Sequence, residues 1–115
     1  IMKHQLSTLG QTRLLTLQGE LDALACDDLT PVLEQMPGEY QDVLVDLTAV
    51  PFIDSSGIGA LIFLYKRLAD HGCYLHLVCQ PGQPRELLRL LHIDRSVPCY
   101  SSQADYLSGI TDGTL

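Results

Sequence analysis

The stretch that most constrains the fold of this chain runs from Val43 to Gly59, VLVDLTAVPFIDSSGIG. It opens with a short apolar segment, Val43–Leu47, whose length and β-branched content predict a buried strand. A loop that contains Pro51 follows, and after it apolar residues recur at the spacing of one helix face. These residues are Ile58, Leu61, Ile62, Tyr65, Leu68 and Ala69. The sequence therefore predicts a strand, a short loop and a helix that begins near residue 55.

Small and polar residues occupy the start of this predicted helix: Asp54, Ser55, Ser56 and Gly57. The first turn of a helix has unpaired backbone N–H groups and the positive end of the helix dipole. An anion is stabilised there, including a phosphate attached to a serine. Asp and Ser are also common N-cap residues, so Asp54 or Ser55 can have a capping role alone. The spacing leaves both interpretations open.

The segment DLTAVPFIDSSGIGAL resembles the signature of STAS domains, and within them of bacterial anti-sigma factor antagonists. Two further segments resemble the family: Gly19–Asp22 matches its G-E-L-D at a strand end, and Gly72–Leu77 lies where its next strand follows a helix. The resemblance extends over residues 3–110. It implies a single α/β domain, with a mixed sheet of four or five strands and about four helices.

The resemblance also implies a site and a set of partners. In the family the second serine of D-S-S-G is phosphorylated, which here is Ser56, with Asp22, Asp54, Ser55 and Gly57 around it. An antagonist of this kind binds an anti-sigma factor, itself a serine kinase, when unphosphorylated. It releases that partner when phosphorylated, and a separate serine phosphatase resets the switch.

Helical geometry gives a second argument about the serines. At about 100° per residue, the predicted buried face leaves Ser55 at its edge and turns Ser56 outward, where a kinase can reach it. Phe63 also projects outward, which predicts a partner-binding surface unless its own chain covers it. The predicted surface comprises Ser56, Gly59, Ala60, Phe63 and Arg67, with Leu64 at its border.

The rest of the chain predicts four further strands and three further helices. The strands are expected at residues 3–9, 13–18, 74–79 and 97–100, with a tight turn joining the first two. A helix is expected from Asp27 to Met36, or only from Thr30 onward because of Pro31. A helix from Pro84 to His92 has Leu87, Leu88 and Leu91 as its buried stripe, and a last helix reaches Ile110.

Composition excludes several classes of function. The net charge of −7 argues against binding nucleic acid or an anionic membrane surface. No apolar run approaches the roughly 18 residues of a membrane span, and the N-terminal residues lack a charged region followed by an apolar one, so no signal peptide is expected. The four cysteines and four histidines have no metal-ligand spacing, so no metal or other cofactor is predicted. A reducing cytoplasm is the simplest compartment.

Enzymatic interpretations find little support. Asp54 occupies the first glycine position of the hydrolase G-x-S-x-G motif, and Gly57-Ile58-Gly59 is too short for a phosphate-binding loop. Asp22 and Asp54 could orient a serine hydroxyl or hold Mg²⁺, or each could only cap a turn. We therefore expect a non-enzymatic, phosphorylation-switched antagonist. The alternative is a STAS docking subunit of a transport system or sensory assembly, without a phosphoswitch.

Overall fold

The strands of this protein form one five-stranded sheet in the order β1-β2-β3-β4-β5. They are β1 (Lys3–Leu9), β2 (Thr12–Gln18), β3 (Val43–Ala49), β4 (Leu75–Val78) and β5 (Cys99–Tyr100). The computed structural model describes residues 2–36 and 41–109. β1 is antiparallel to β2 through a hairpin, and each later pair of neighbours is parallel. The predicted mixed sheet is confirmed, with five strands.

A helix lies in each connection between parallel strands, which is the usual form of the crossover that parallel pairing requires. The helices are α1 (Ala23–Gln35), α2 (Ser55–Asp70), α3 (Gln83–Leu90) and, after the last strand, α4 (Gln103–Ser108). The predicted α/β class with four helices is confirmed. No helix of the described residues has the length and apolar character needed to cross a membrane. The predicted end of the last helix and of the domain, Ile110, lies outside the described residues.

The two faces of the sheet bury unequal amounts of apolar surface. Leu15, Val45 and Leu77 face the side covered by α1, α2 and α3, where a continuous core forms. Leu14, Leu44 and Val78 face the other side and form a small cluster, against which Tyr106 of α4 packs. The alternation follows from the period of two along a strand. Three helices cover the first face, and the loops that lead into these helices follow the parallel strands at one edge of the sheet.

α1 begins at Ala23, four residues before the predicted start at Asp27, and Pro31 lies inside it. The helix can begin early because the Asp22 side chain accepts a hydrogen bond from the Ala25 amide (3.0 Å). Pro31 removes the N–H that would bond the carbonyl of Asp27. Both residues are exposed, so water can satisfy that carbonyl. The prediction that proline delays the helix is wrong because the cap and the buried face of α1 outweigh its cost.

The buried face of α2 is rotated by about 50° from the predicted face, at about 100° per residue. Leu64 is completely buried, whereas Ala69, predicted to be inward, is exposed. The prediction that Leu64 borders a partner surface is therefore wrong. The physical reason is that α2 packs against α1 as well as against the sheet, which shifts its buried arc toward α1.

α3 departs from its predicted stripe at one position. Leu88 is completely buried and Leu87 is half-buried, but Leu91 is 52% exposed. The helix ends at Leu90, and His92 then adopts the left-handed conformation with φ of 59°. Leu91 is the C-cap of the helix, and its amide still donates to the Leu87 carbonyl (3.0 Å), but its side chain lies beyond the last buried turn.

Candidate functional site

Two loops that follow neighbouring strands meet at the edge of the sheet and create the site. Leu21, after β2, and Ile53, after β3, form an isolated parallel bridge. The Leu21 amide donates to the Phe52 carbonyl (2.9 Å), and the Asp54 amide donates to the Leu21 carbonyl (3.3 Å). These bonds place the G-E-L-D and D-S-S-G segments side by side.

Asp54 is the N-cap of α2. Its backbone is extended (φ −105°, ψ −171°), and its Oδ1 accepts a hydrogen bond from the Gly57 amide at 3.1 Å. The Ile58 amide donates to the Asp54 carbonyl at 3.0 Å. The capping interpretation of Asp54 is therefore confirmed. A capping carboxylate also offsets the positive end of the helix dipole.

Asp22 performs the same task for α1, where it accepts from the Ala25 amide. The two carboxylates lie on one rim, but each is engaged with its own helix start. Within the described ranges, no group of three or more His, Cys, Asp or Glu side chains is arranged to hold a metal ion. Asp22 and Asp54 therefore act as helix N-caps, and their geometry does not support the suggested Mg²⁺ site.

Gly57 allows α2 to approach the bridge closely. A Cβ atom at this position would lie 2.6 Å from Ile53 Cγ1 and 2.6 Å from the Leu21 carbonyl oxygen. Real Cβ atoms do not come so close to their neighbours, and packed interiors yield little. The glycine of D-S-S-G is thus needed for close packing. It joins the helix start to both loops.

Gln83, the first residue of α3, holds the same loop from the other side. Its Nε2 donates to the Ile53 carbonyl (2.8 Å), and its Oε1 accepts from the Ile53 amide (2.9 Å). One amide side chain thus pairs with both backbone polar groups of Ile53. No sequence pattern predicts this role, since a glutamine beside Pro84 gives no sign of which distant loop it contacts.

The two serines occupy the first two positions of α2, directly after the cap. Ser55 is exposed and Ser56 is half-buried, so the prediction that Ser55 lies nearer the core is wrong. The rotation of the buried face explains this, because it places both serines at similar angles from the centre of the core face. Neither hydroxyl has a hydrogen-bond partner among the described residues, which leaves both available to an external group.

Negative charge surrounds this edge. A depression of about 590 Å³ lies beside α1, and its lining includes Glu20, Asp22, Asp27 and Asp28. The nearby thiol of Cys26 has a raised pKa, mainly because it is partly buried and then because of the carboxylates of Asp54, Asp22 and Asp27. The thiol is therefore poorly reactive. Any further negative charge at this edge is repelled by the carboxylates of these acidic side chains.

The predicted outward surface of α2 is only partly as expected. Gly59 is exposed, Ala60 is half-buried, and Phe63 is 39% exposed and lies outside the core clusters. The Arg67 guanidinium lies 5.5 Å from the centre of the Phe63 ring, and its Nη2 donates to the Glu34 carbonyl of α1 (3.0 Å). Arg67 thus contacts both Phe63 and α1.

Two exposed apolar side chains near the site were missed. Leu24, in the first turn of α1, is 78% exposed and lines the acidic depression together with Pro51. Phe52, in the loop before α2, is 41% exposed. Leu24 does carry a sequence signal, because it falls outside the i, i+4, i+8 spacing of the buried residues Ala25, Leu29 and Leu33.

Comparison with known proteins gives consistent results. Among solved structures, the chain is similar to an anti-sigma factor antagonist from Mycobacterium paratuberculosis, with 20% identity, a TM-score of 0.86 and coverage of 96% of this chain and 94% of that chain. It is also similar to an anti-sigma-factor antagonist (STAS) domain protein from Planctomyces limnophilus, with 24% identity, a TM-score of 0.81 and coverage of 93% of this chain and 96% of that chain. A third similar structure is the Bacillus cell fate determinant SpoIIAA in its phosphorylated form. It has 16% identity and a TM-score of 0.72, and the match covers 94% of this chain and 99% of that chain.

These likenesses establish the fold, while the family follows from the sequence. The search of curated proteins returned no significant match. A family model of the STAS domain matches residues 3–106, which is nearly the whole chain. The matched range includes both capped helix starts and all five strands of the sheet. This chain therefore belongs to the STAS domain family.

Proposed function

We propose that this protein is an anti-sigma factor antagonist whose partner binding is controlled by phosphorylation of Ser56. The observation that carries the proposal is the D-S-S-G segment at the start of α2, where Asp54 completes the cap and leaves both hydroxyls unengaged. The unmodified protein binds an anti-sigma factor that is also a serine kinase. Phosphorylation releases this partner, and a serine phosphatase restores the binding form.

Ser56, and not Ser55, is proposed as the acceptor because it is the second serine of the motif. Exposure does not decide the matter, since Ser55 is the more exposed of the two. The similarity of the chain to SpoIIAA, a protein solved in a phosphorylated form, supports phosphorylation of a protein with this fold. Both positions lie in the first turn of α2, where a phosphate meets unpaired N–H groups.

Phosphorylation is expected to leave the fold nearly unchanged. A phosphate adds about −1.5 to −2 charges at neutral pH, but a helix N-terminus favours an anion by about 0.3–1 kcal/mol. Repulsion from Asp54 and the acidic side chains of α1 offsets part of this gain. The release of the partner therefore comes from the interface, where an unpaired buried charge costs about 2–5 kcal/mol.

The partner surface is proposed to centre on Gly59, Ala60 and Phe63, and to extend over Phe52 and Leu24. Exposed aromatic and aliphatic side chains beside small residues give a partner both an anchor and close backbone approach. The acidic depression beside Leu24 suits a partner with lysine or arginine at the matching rim. An apolar patch edged by basic residues is thus the expected complement on the kinase.

Phosphate mapping tests the proposed acceptor. The unmodified chain is incubated with its cognate anti-sigma kinase and ATP, and the modified residue is located by mass spectrometry. We expect phosphate on Ser56, full labelling of Ser55→Ala and no labelling of Ser56→Ala. Phosphate on Ser55, or undiminished labelling of Ser56→Ala, overturns the assignment. A kinase partner that binds but never modifies either serine favours a docking module without a switch.

The docking surface has its own test in Phe63→Ala. The variant should lose partner binding while its melting temperature stays close to that of the unaltered protein, because Phe63 lies outside the core clusters. Truncation of a core phenylalanine would instead cost about 3–5 kcal/mol of stability. Tyr74→Ala is the matched control, since Tyr74 is 68% exposed and is not part of the proposed surface. Equal effects of the two variants would contradict the placement.

A further inference from the structure

An apolar cavity lies on the flank of α2 that faces the α3–β5 connection. It has a volume of about 270 Å³, and its floor consists of buried side chains of α2, β4 and the segment before β5. The floor residues are Leu61, Leu75, Leu77 and Val97. Half-buried Ile62, Tyr65 and Ile93 form its walls. No residue of the proposed phosphorylation site or of the Phe63 surface contributes to this cavity.

Three exposed polar residues line the cavity in addition to the half-buried Tyr65. Lys66 supplies an ammonium group, His92 an imidazole ring and Ser96 a hydroxyl, and all three residues are exposed. None of the described residues that line it is acidic, although the chain as a whole carries a net charge of −7. Within the described part of the chain, no hydrogen bond or ion pair engages the Lys66 ammonium. The cavity thus combines an apolar interior with donors for an anion.

One backbone conformation beside this cavity is unusual. α3 ends at Leu90, and His92 takes a positive φ of 59° in the connection between α3 and β5. Non-glycine residues adopt this conformation uncommonly, and it tends to occur at functional positions. Here it coincides with the placement of His92 among the cavity-lining residues.

We propose that this cavity binds a small free amphiphile with one anionic head group, of which a medium-chain aliphatic carboxylate is the simplest example. The hydrocarbon part would cover the floor formed by Leu61, Leu77 and Val97, and the carboxylate would meet Lys66 and His92. The volume lies just below the roughly 300–1,000 Å³ of sites for drug-sized ligands, which limits the occupant to a small molecule. Apolar lining with few polar groups that orient the ligand is the usual composition of such sites.

Amide NMR of the full chain, titrated with octanoate, tests the proposal. We expect saturable shifts confined to the cavity residues, with a Kd of about 1 mM or tighter, as befits so small a ligand. Octylamine, with the same chain and the opposite charge, should bind much more weakly. Lys66→Gln should weaken octanoate binding about two- to fivefold, the range of a solvated charge pair.

The chain supplies a matched control, because Lys3 is its other lysine and lies on β1. Lys3→Gln should leave the octanoate Kd unchanged. Ser96→Trp, at the exposed rim, should block the cavity and abolish the shifts. Absent or unsaturable shifts, shifts elsewhere, or equal binding of octanoate and octylamine overturn the proposal. So does self-association through this cavity that octanoate fails to displace, since it would make a second copy the occupant.

Discussion

The two helix starts at the functional edge are built alike and carry different chemistry. Asp22 caps α1 and Asp54 caps α2, with nearly the same extended backbone: φ −117° and ψ −171° against φ −105° and ψ −171°. Each carboxylate accepts a hydrogen bond from the amide three residues later, at 3.0 Å from Ala25 and 3.1 Å from Gly57. Capping therefore cannot be what distinguishes the proposed phosphorylation site.

The residues that follow each cap make the difference. After Asp22 come Ala23, Leu24 and Ala25, which give α1 an exposed apolar side chain and no hydroxyl. The corresponding positions of α2 are Ser55, Ser56 and Gly57. The comparison teaches that a helix start becomes a candidate phosphorylation site through hydroxyls placed after the cap, together with a glycine that locks the helix against both loops.

Substitution of the third residue after each cap should have the largest effect on the free energy of unfolding. Gly57→Ala should destabilise the fold by about 1–3 kcal/mol, because its Cβ would be forced against Ile53 and the Leu21 carbonyl. The reciprocal change, Ala25→Gly, should cost about 1–2 kcal/mol, the usual penalty of glycine in a helix together with the loss of one buried methyl group. Urea denaturation of both variants measures the difference. If Gly57→Ala were the milder change, the close approach of α2 would be refuted.

Removal of the two caps should have smaller and similar effects. Asp22→Ala and Asp54→Ala should each lower the free energy of unfolding by about 0.5–2 kcal/mol, since the same hydrogen bond is lost. Asn in place of either Asp should restore most of the loss, because asparagine also caps well. Only Asp54→Ala should slow phosphorylation of Ser56. A comparable slowing in Asp22→Ala would mean that the helix starts act as one unit.

The smallest expected effect is on the reactivity of the Cys26 thiol. Besides burial, the carboxylates of both caps raise the pKa of this thiol. Burial is the main cause of its raised pKa, and Asp54 contributes more than Asp22. Removal of either charge lowers this pKa and raises the thiolate fraction at about pH 8, below the ordinary thiol pKa of about 8.5. Iodoacetamide should therefore alkylate Asp54→Asn about two- to fivefold faster than the unaltered protein, given a partly solvated charge.

Asp22→Asn should show a smaller increase in the same alkylation assay. The other cysteines are internal controls: Cys73, Cys79 and Cys99 are buried, and burial raises the pKa of Cys79 to about 11 and that of Cys99 to about 12. Phosphorylation of Ser56 should slow the reaction of Cys26, since it adds negative charge to the same edge. Unchanged alkylation in all variants would place the carboxylates too far from the thiol to matter.

Much of this fold could be predicted from the sequence, because local patterns determine it. The apolar run Val43–Leu47 and the periodic residues after Ser55 yielded β3 and α2 within two residues of their observed bounds. The capping role of Asp54 also follows from local chemistry and was among the interpretations. The predicted start of α1 was too late, because the cost of Pro31 was considered without the Asp22 cap. This cap allows the helix to begin at Ala23.

Features that depend on packing could not be obtained this way. Leu64 is buried because α1 lies beside α2, and no local pattern contains that neighbour. Gln83 pairs with Ile53, thirty residues earlier in the chain, and only the sheet order brings them together. The exposure of Ser55 relative to Ser56 depends on a modest rotation of one helix. The motif thus located the site, and tertiary packing decided which side chains surround it.

The most direct test of the account is the affinity of the anti-sigma kinase for two forms of one protein. Ser55→Ala supplies a background in which Ser56 is the acceptor, and calorimetry compares its unmodified and phosphorylated forms. The account predicts a loss of roughly 30-fold to several-thousand-fold in affinity, with melting temperatures that remain close. Equal affinity of the two forms, or lost affinity accompanied by a collapsed melting temperature, would contradict a switch that acts at the binding surface.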